Sequence, residues 1–191
     1  MKRISITKEG KIKLILSFSL LIYSVIVSAI TKEHDIFSAM IFSFFGDIFM
    51  LRNGLAFGNV KDESDFPFGV IMFALAHVVY LIIMQTNTPW HIIVTVIQWL
   101  LVIAIFISYI ITTWYQKKRY IICIPYAICI LIATINAWMF NVASGIGYTL
   151  FVISDLIIVI FKDNRPKWAN FAVWGTYVPA QVLILTSFLL V

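Results

Sequence analysis

Seven stretches of this chain, at about residues 12–30, 36–51, 66–85, 90–113, 120–140, 144–161 and 168–190, run almost without charge between charged or turn-forming residues. Each is too long and too uniformly apolar for a β-strand. Each also approaches the roughly 20 residues that a helix needs to cross a hydrocarbon core about 30 Å thick. Composition points the same way. Of 191 residues, 62% are hydrophobic and 12% are charged, whereas a soluble domain carries about 25% charged residues. The chain has too little polar surface to face water on all sides. The expected fold is therefore all-α, a polytopic transmembrane helix bundle of about seven spans, with residues 1–191 forming one domain. The basic start, MKRISITKEGKIK, is followed by an apolar run without a convincing small-residue cleavage site, so the first span is expected to be retained rather than removed as a signal peptide. Pro67 falls in the first turn of the third span, where a missing N–H costs nothing. Pro179 falls inside the seventh, where it is expected to kink the helix and release the carbonyl of Gly175.

Charge sets the expected orientation. With a cytoplasmic N-terminus, the inner side carries Lys2, Arg3, Lys8, Lys11, Lys13, Arg52, Lys61, Lys117, Lys118, Arg119, Lys162, Arg165 and Lys167, and the outer side carries Lys32 alone. That asymmetry is a strong positive-inside signal and places the C-terminus outside. Residues 52–65, RNGLAFGNVKDESD, then form a mixed-charge inner loop, and Trp90, Trp114 and Trp168 sit at span ends as an aromatic belt would place them. The net charge of +5 is explained by orientation. The basic residues form no patch with interleaved aromatics, so no nucleic-acid partner is expected. The expected location is a bacterial inner membrane. Cys123 and Cys129, six residues apart in one apolar run, read as small buried residues.

A charged group in the hydrocarbon costs about 2.5–3.5 kcal/mol on insertion scales, so each one needs a reason. Two acidic residues fall inside spans: Asp47 in FSFFGDIFML and Asp155 in LFVISDLIIVIF. Both spans run from outside to inside, and each carboxyl lies within about two turns of the inner end, so the two are expected at similar depth. One reading is that they hydrogen-bond neighbouring helices, with Ser43 one turn before Asp47. The other is a functional pair, favoured because Ser or Asn would make a helix contact at lower cost. His77 lies mid-span with Tyr80 on the same face. Trp174, Tyr177 and Gln181 form one stripe on the last span, and Tyr148 shares the face of Asp155. Gly46, Gly145 and Gly147 read as sites of close helix packing, and Tyr126, Asn136 and Gln98 as interhelical hydrogen-bonding residues. The chain has no zinc-spaced His/Cys cluster, no G-x-S-x-G and no phosphate-binding glycine loop. His34 and His91 belong near the outer face. Asp47, Asp155 and His77 form a ligand set that a metal accepts in principle, but no metal or other cofactor is expected. Ser154 beside Asp155 is no catalytic triad, since neighbours on a helix point about 100° apart.

Four segments, FSFFGDIFM, FGVIMFALAHVVYLIIM, GYTLFVISDLIIVIF and GTYVPAQVLILTS, resemble the lysoplasmalogenases, the YhhN-like membrane proteins. They match that family's S-x-x-G-D, F-x-x-a-H-x-x-Y, lF-x-x-S-D and Y-x-x-x-Q elements in order. The segment IPYAICILIATI resembles a fifth, Pro- and Tyr-containing element. The family is drawn with eight spans, so KIKLILSF would correspond to its second helix, here without that helix's Lys-Pro pair. The resemblance implies hydrolysis of the vinyl ether bond of a lysophospholipid substrate, giving a fatty aldehyde and a glycerophospho-base. Such bonds hydrolyse by protonation of the β-carbon and capture of an oxocarbenium ion by water. The reaction wants one carboxyl as acid and one carboxylate to stabilise the cation, a division of labour that glycoside hydrolysis also uses. On this reading Asp47 and Asp155 fill those roles, in either order, and His77 and Tyr177 orient water or the ether oxygen. Tyr80, Tyr148, Gln181, Trp174 and Ser154 line the substrate's path, and the phosphate head sits near Arg52 or Lys162. Besides the lysolipid, membrane lipid is the expected partner. The alternatives are a proton-coupled carrier of a small solute or lipid using the same Asp pair, and a non-catalytic lipid-binding protein. Against the carrier stand the short chain and the absence of inverted repeats.

Overall fold

The computed structural model describes residues 8–52, 65–85, 91–115, 119–161 and 166–191. Among these residues the protein is entirely helical. It has seven α-helices: α1 (Lys8–Thr31), α2 (His34–Arg52), α3 (Asp65–Gln85), α4 (His91–Tyr115), α5 (Cys123–Phe140), α6 (Val142–Ile160) and α7 (Lys167–Ser187). Six of them, α1 to α6, are long and apolar enough to cross a membrane. The architecture is that of an integral multi-pass membrane protein. The seventh, α7, is as long but more polar, because it carries Asn170, Thr176, Tyr177 and Gln181.

Helix boundaries follow local chemistry. Lys32 adopts a positive φ of 63°, which stops α1 and lets α2 begin three residues after it ends. Ser28 Oγ donates to the Glu33 carbonyl at 2.8 Å and ties that turn down. Asn141 alone separates α5 from α6. Its extended backbone breaks the helix, its side chain caps α6 by accepting from Ser144 N, and its amide donates to the Ser187 carbonyl at 3.1 Å. A short 3-10 turn, Arg119–Ile122, leads into α5, whose Pro125 lies in the first turn where no intrahelical donor is needed. In α7 the helix continues through Pro179, which faces outward. The 53–64 part of the expected inner loop, Trp90 and the Trp114 side chain lie outside the described residues. Trp168 is exposed in the first turn of α7.

Six of the helices close into a ring: α1 packs on α2, α2 on α3, α3 on α5, α5 on α6, α6 on α7, and α7 back on α1. The fourth helix stands outside this ring against α3 and α5 and presents Ile93, Leu100, Ile107 and Ile110 outward. Glycines set the tightest approaches. A Cβ on Gly147 would lie 2.9 Å from Ile184 Cγ1 and 3.0 Å from the Ala180 carbonyl oxygen, so α6 and α7 touch almost backbone to backbone. Gly46 and Gly145 similarly admit the rings of Phe73 and Trp138. Polar links stitch neighbouring helices together: Tyr23 Oη to Thr186 Oγ1 at 2.9 Å joins α1 to α7, and Gln85 to Asn136 joins α3 to α5. Gln98 donates to the Cys129 carbonyl at 3.2 Å and accepts from its thiol, which holds α4 in place. The interhelical roles expected of Gln98 and Asn136 are therefore seen.

Candidate active site

Within its largely apolar core the ring also buries polar residues, among them Ser17, Asp47, His77 and Gln181. Asp47, on α2, is five residues before the end of its helix, and Asp155, on α6, is five residues before the end of its own. At 1.5 Å per residue both lie about 7.5 Å from the same end of the bundle. The matched depth expected from the sequence follows.

Each carboxylate is held by a phenol from a different helix. Asp47 is buried, and its Oδ2 accepts from Ser17 Oγ of α1 at 2.5 Å and from Tyr177 Oη of α7 at 2.9 Å. Gln181, one turn further along α7, donates Nε2 to Tyr177 Oη at 3.2 Å. Asp155 Oδ2 accepts from Tyr126 Oη of α5 at 2.7 Å. An aromatic cluster connects the two sites. The Tyr177 ring meets Phe73 and Phe151 edge-on at 6.2 and 5.4 Å, and Phe151 in turn meets His77 at 4.8 Å. His77, on α3, faces Tyr126 at 6.1 Å and Tyr148 at 5.4 Å between ring centroids. Its Nδ1 lies 3.4 Å from Tyr148 Oη. Two buried polar atoms in this cluster, His77 Nε2 and Gln181 Oε1, have no hydrogen-bond partner among the described residues. Polar atoms buried in this way are normally satisfied, by protein, water or ligand, so both mark where a small polar molecule or a substrate oxygen belongs.

All six ring helices thus contribute to one polar centre: Ser17 from α1, Asp47 from α2, His77 from α3, Tyr126 from α5, Tyr148 and Asp155 from α6, and Tyr177 and Gln181 from α7. Among the described residues, the peripheral α4 contributes none. This convergence coincides with a family match across almost the whole bundle. The sequence profile of the YhhN family matches residues 11–188, from the start of α1 to just past the end of α7. The chain belongs to the YhhN family. No curated protein and no solved structure gives a significant match.

The candidate residues of this YhhN-family chain do not all meet in one place. Trp174 sits edge-on to Tyr177 at 5.4 Å, one turn nearer the end of the bundle. Tyr80 lies one turn beyond His77, away from the carboxylates. It is buried with its ring stacked on Phe188 at 6.0 Å and its hydroxyl donated to Met40 Sδ at 3.8 Å. Ser154 points away from Asp155 and donates to the Val173 carbonyl at 3.2 Å, so its hydroxyl bonds α6 to α7. The Arg52 side chain and Lys162 lie outside the described residues. Among the described residues, no three His, Cys, Asp or Glu side chains converge as metal ligands.

Two contributors escaped the sequence reading, and a third was undervalued. Ser17 and Lys13 stand on a stripe of α1, Gly10, Lys13, Ser17, Leu20, Ser24 and Val27, that is buried throughout. The spacing of three and four was readable, and small or polar residues on one face of an apolar span are the signal for an inward face. Tyr126 does hydrogen-bond across helices as expected, but its partner is Asp155.

Proposed function

We propose that this protein is a membrane-embedded ether hydrolase, which cleaves the vinyl ether bond of lysoplasmalogens to a fatty aldehyde and a glycerophospho-base. One observation carries the reading. Two carboxyl groups from different helices, each anchored by a tyrosine hydroxyl, stand at the same depth within an apolar ring. Family membership is compatible with hydrolysis and supports it.

The chemistry needs a proton for carbon and a charge for the cation. One carboxyl donates its proton to the alkenyl carbon β to the ether oxygen, and the C–O unit becomes an oxocarbenium ion. The other carboxylate stabilises that cation and takes a proton from the water that adds to its carbon. The resulting hemiacetal breaks its bond to the ether oxygen, giving the aldehyde and the glycerol hydroxyl, so one water is consumed for each C–O bond cleaved. Asp47 Oδ2 already accepts two hydrogen bonds, which suits the carboxylate role, and Asp155 then supplies the proton. Placing these groups in a ring that excludes bulk water strengthens every electrostatic contact they make. His77 Nε2 and Gln181 Oε1 supply a donor or acceptor for the attacking water. The apolar ring takes the alkenyl chain, and the head group stays at the end of the bundle nearest the carboxylates. The charge bias favours the cytoplasmic side for that end, and we read the membrane as a bacterial inner membrane.

The test is aldehyde release from a lysoplasmalogen by purified protein in detergent, beside folded Asp47→Asn and Asp155→Asn variants. Aldehyde from wild type and from neither variant is the expected result. Activity surviving both substitutions would sink the roles given to the pair. No aldehyde from folded wild type, with choline or ethanolamine heads, would sink the hydrolase reading and favour a carrier.

A further inference from the structure

Lys13 takes no part in the chemistry above, yet it is buried on the inward stripe of α1, only 7% exposed. Its Nζ lies 5.7 Å from the centre of the Trp174 ring. An ammonium at this position is costly. A packing role would be met by an apolar residue without that cost, and cations that face the interior of a membrane bundle mark substrate paths. Its register is informative. Lys13 is one turn before Ser17, which holds Asp47, and Trp174 is nearly one turn before Tyr177, which holds the same carboxylate. Both helices start at the same end of the bundle, so the backbones of Lys13 and Trp174 stand about 6 and about 4.5 Å nearer that end than those of Ser17 and Tyr177. The indole holds the ammonium by a cation–π contact, so the charge is already positioned before any ligand arrives.

We propose that Lys13 is the anion-recognition residue of this site, and that its ligand is the phosphodiester of a lysolipid head whose scissile bond reaches the carboxylate layer. The proposal rests on the hydrolase reading and names the residue that recognises the head of its substrate. In a 1-alkenyl glycerophospholipid the three-carbon glycerol backbone separates the phosphate from the ether oxygen, so the phosphate binds nearer the end of the bundle than the scissile bond. Lys13 and Trp174 stand on that side of the residues that hold Asp47. A phosphate seated at Lys13 therefore brings the vinyl ether to Asp47 and Asp155, while an alkenyl glycerol without phosphate lacks the anchor. A charge-assisted hydrogen bond is worth about 1.5–3 kcal/mol, or about ten- to hundredfold in apparent affinity.

The experiment compares kcat/KM on a 1-alkenyl glycerophosphocholine and on the matching 1-alkenyl glycerol, for wild type, Lys13→Met and Lys13→Arg in detergent. A second arm measures thermal stabilisation of the same proteins by the uncleavable 1-alkyl analogues of both lipids and by inorganic phosphate. Wild type is expected to prefer the phosphorylated lipid in both arms, Lys13→Met to lose about ten- to hundredfold of that preference, and Lys13→Arg to keep most of it. Lys13→Gln replaces the Met variant if the latter does not fold. An unchanged preference in the neutral variant overturns the proposal, as does an equal loss on both lipids, which would put Lys13 in the chemistry. Stabilisation by inorganic phosphate with no discrimination between the lipids overturns it too. If wild type cleaves neither lipid, the binding arm still decides. Selective stabilisation that disappears in Lys13→Met upholds Lys13 and sinks only the hydrolase reading, while no selectivity sinks both.

Discussion

The two hydrogen bonds that converge on Asp47 Oδ2 allow a quantitative test. Ser17→Ala removes the donor from α1, and Tyr177→Phe removes the donor from α7 at 2.9 Å. Each bond to a charged acceptor is worth about 1.5–3 kcal/mol, so each single variant should lose about ten- to hundredfold in kcat/KM. Tyr177→Phe should fall at the severe end, because it also leaves Gln181 Nε2 without the hydroxyl it donates to. The double variant is the sharper measurement. Losing one of two donors leaves the carboxylate a partner, but losing both strands it in a site where Asp47 is only 3% exposed. The last donor is therefore worth more than the first, and the double variant should lose more than the product of the singles, with a coupling of about 1 kcal/mol or more. Aldehyde release gives the rates, and thermal unfolding in detergent shows whether the loss lies in the chemistry or in the fold. Singles within twofold of wild type, beside an inactive Asp47→Asn, would refute the reasoning, since the anchoring bonds would then be packing alone. A product equal to the double would refute the claim that both donors serve one acceptor.

Two further outcomes follow from other parts of the site and fold. His77→Phe removes a buried Nε2 that has no hydrogen-bond partner among the described residues, at the loss of the long 3.4 Å contact from Nδ1 to Tyr148 Oη, and keeps the edge-on contact with Phe151. Unfolding should move to equal or higher temperature, because a buried unpaired polar atom costs about 1–3 kcal/mol, while aldehyde release falls. A variant that is both active and more stable would remove His77 from the mechanism. Gly147→Ala drives a methyl to 2.9 Å from Ile184 Cγ1 and 3.0 Å from the Ala180 carbonyl. The backbone cannot give way as a side-chain end would, so about 1–3 kcal/mol of stability should be lost. A thermal midpoint unmoved by this change would mean that α6 and α7 pack less closely than described.

What the sequence determined by itself is the work of the solvent. Burial in hydrocarbon acts on each helix separately, so the apolar runs were legible one at a time, and the helices Lys8–Thr31 through Lys167–Ser187 lie within a few residues of their expected places. The cost of an intramembrane charge is also a property of single residues, which is why Asp47 and Asp155 stood out, and their shared distance from helix ends fixed their depth. The tertiary structure decided everything that depends on pairs. Neighbouring helices gain little hydrophobic energy from meeting in lipid, so their order and rotation are set by close packing and by polar contacts between particular side chains. The backbone approach at Gly147 is one such contact, and the Ser154 bond to the Val173 carbonyl is another. Those contacts gave Tyr177 and Ser17 to Asp47, gave Tyr126 to Asp155, set α4 outside the ring, and turned Lys13 inward on α1. A hydropathy profile averages over helix rotation, so it assigns Lys13 to the N-terminal end of a span and cannot say which side of the helix it faces.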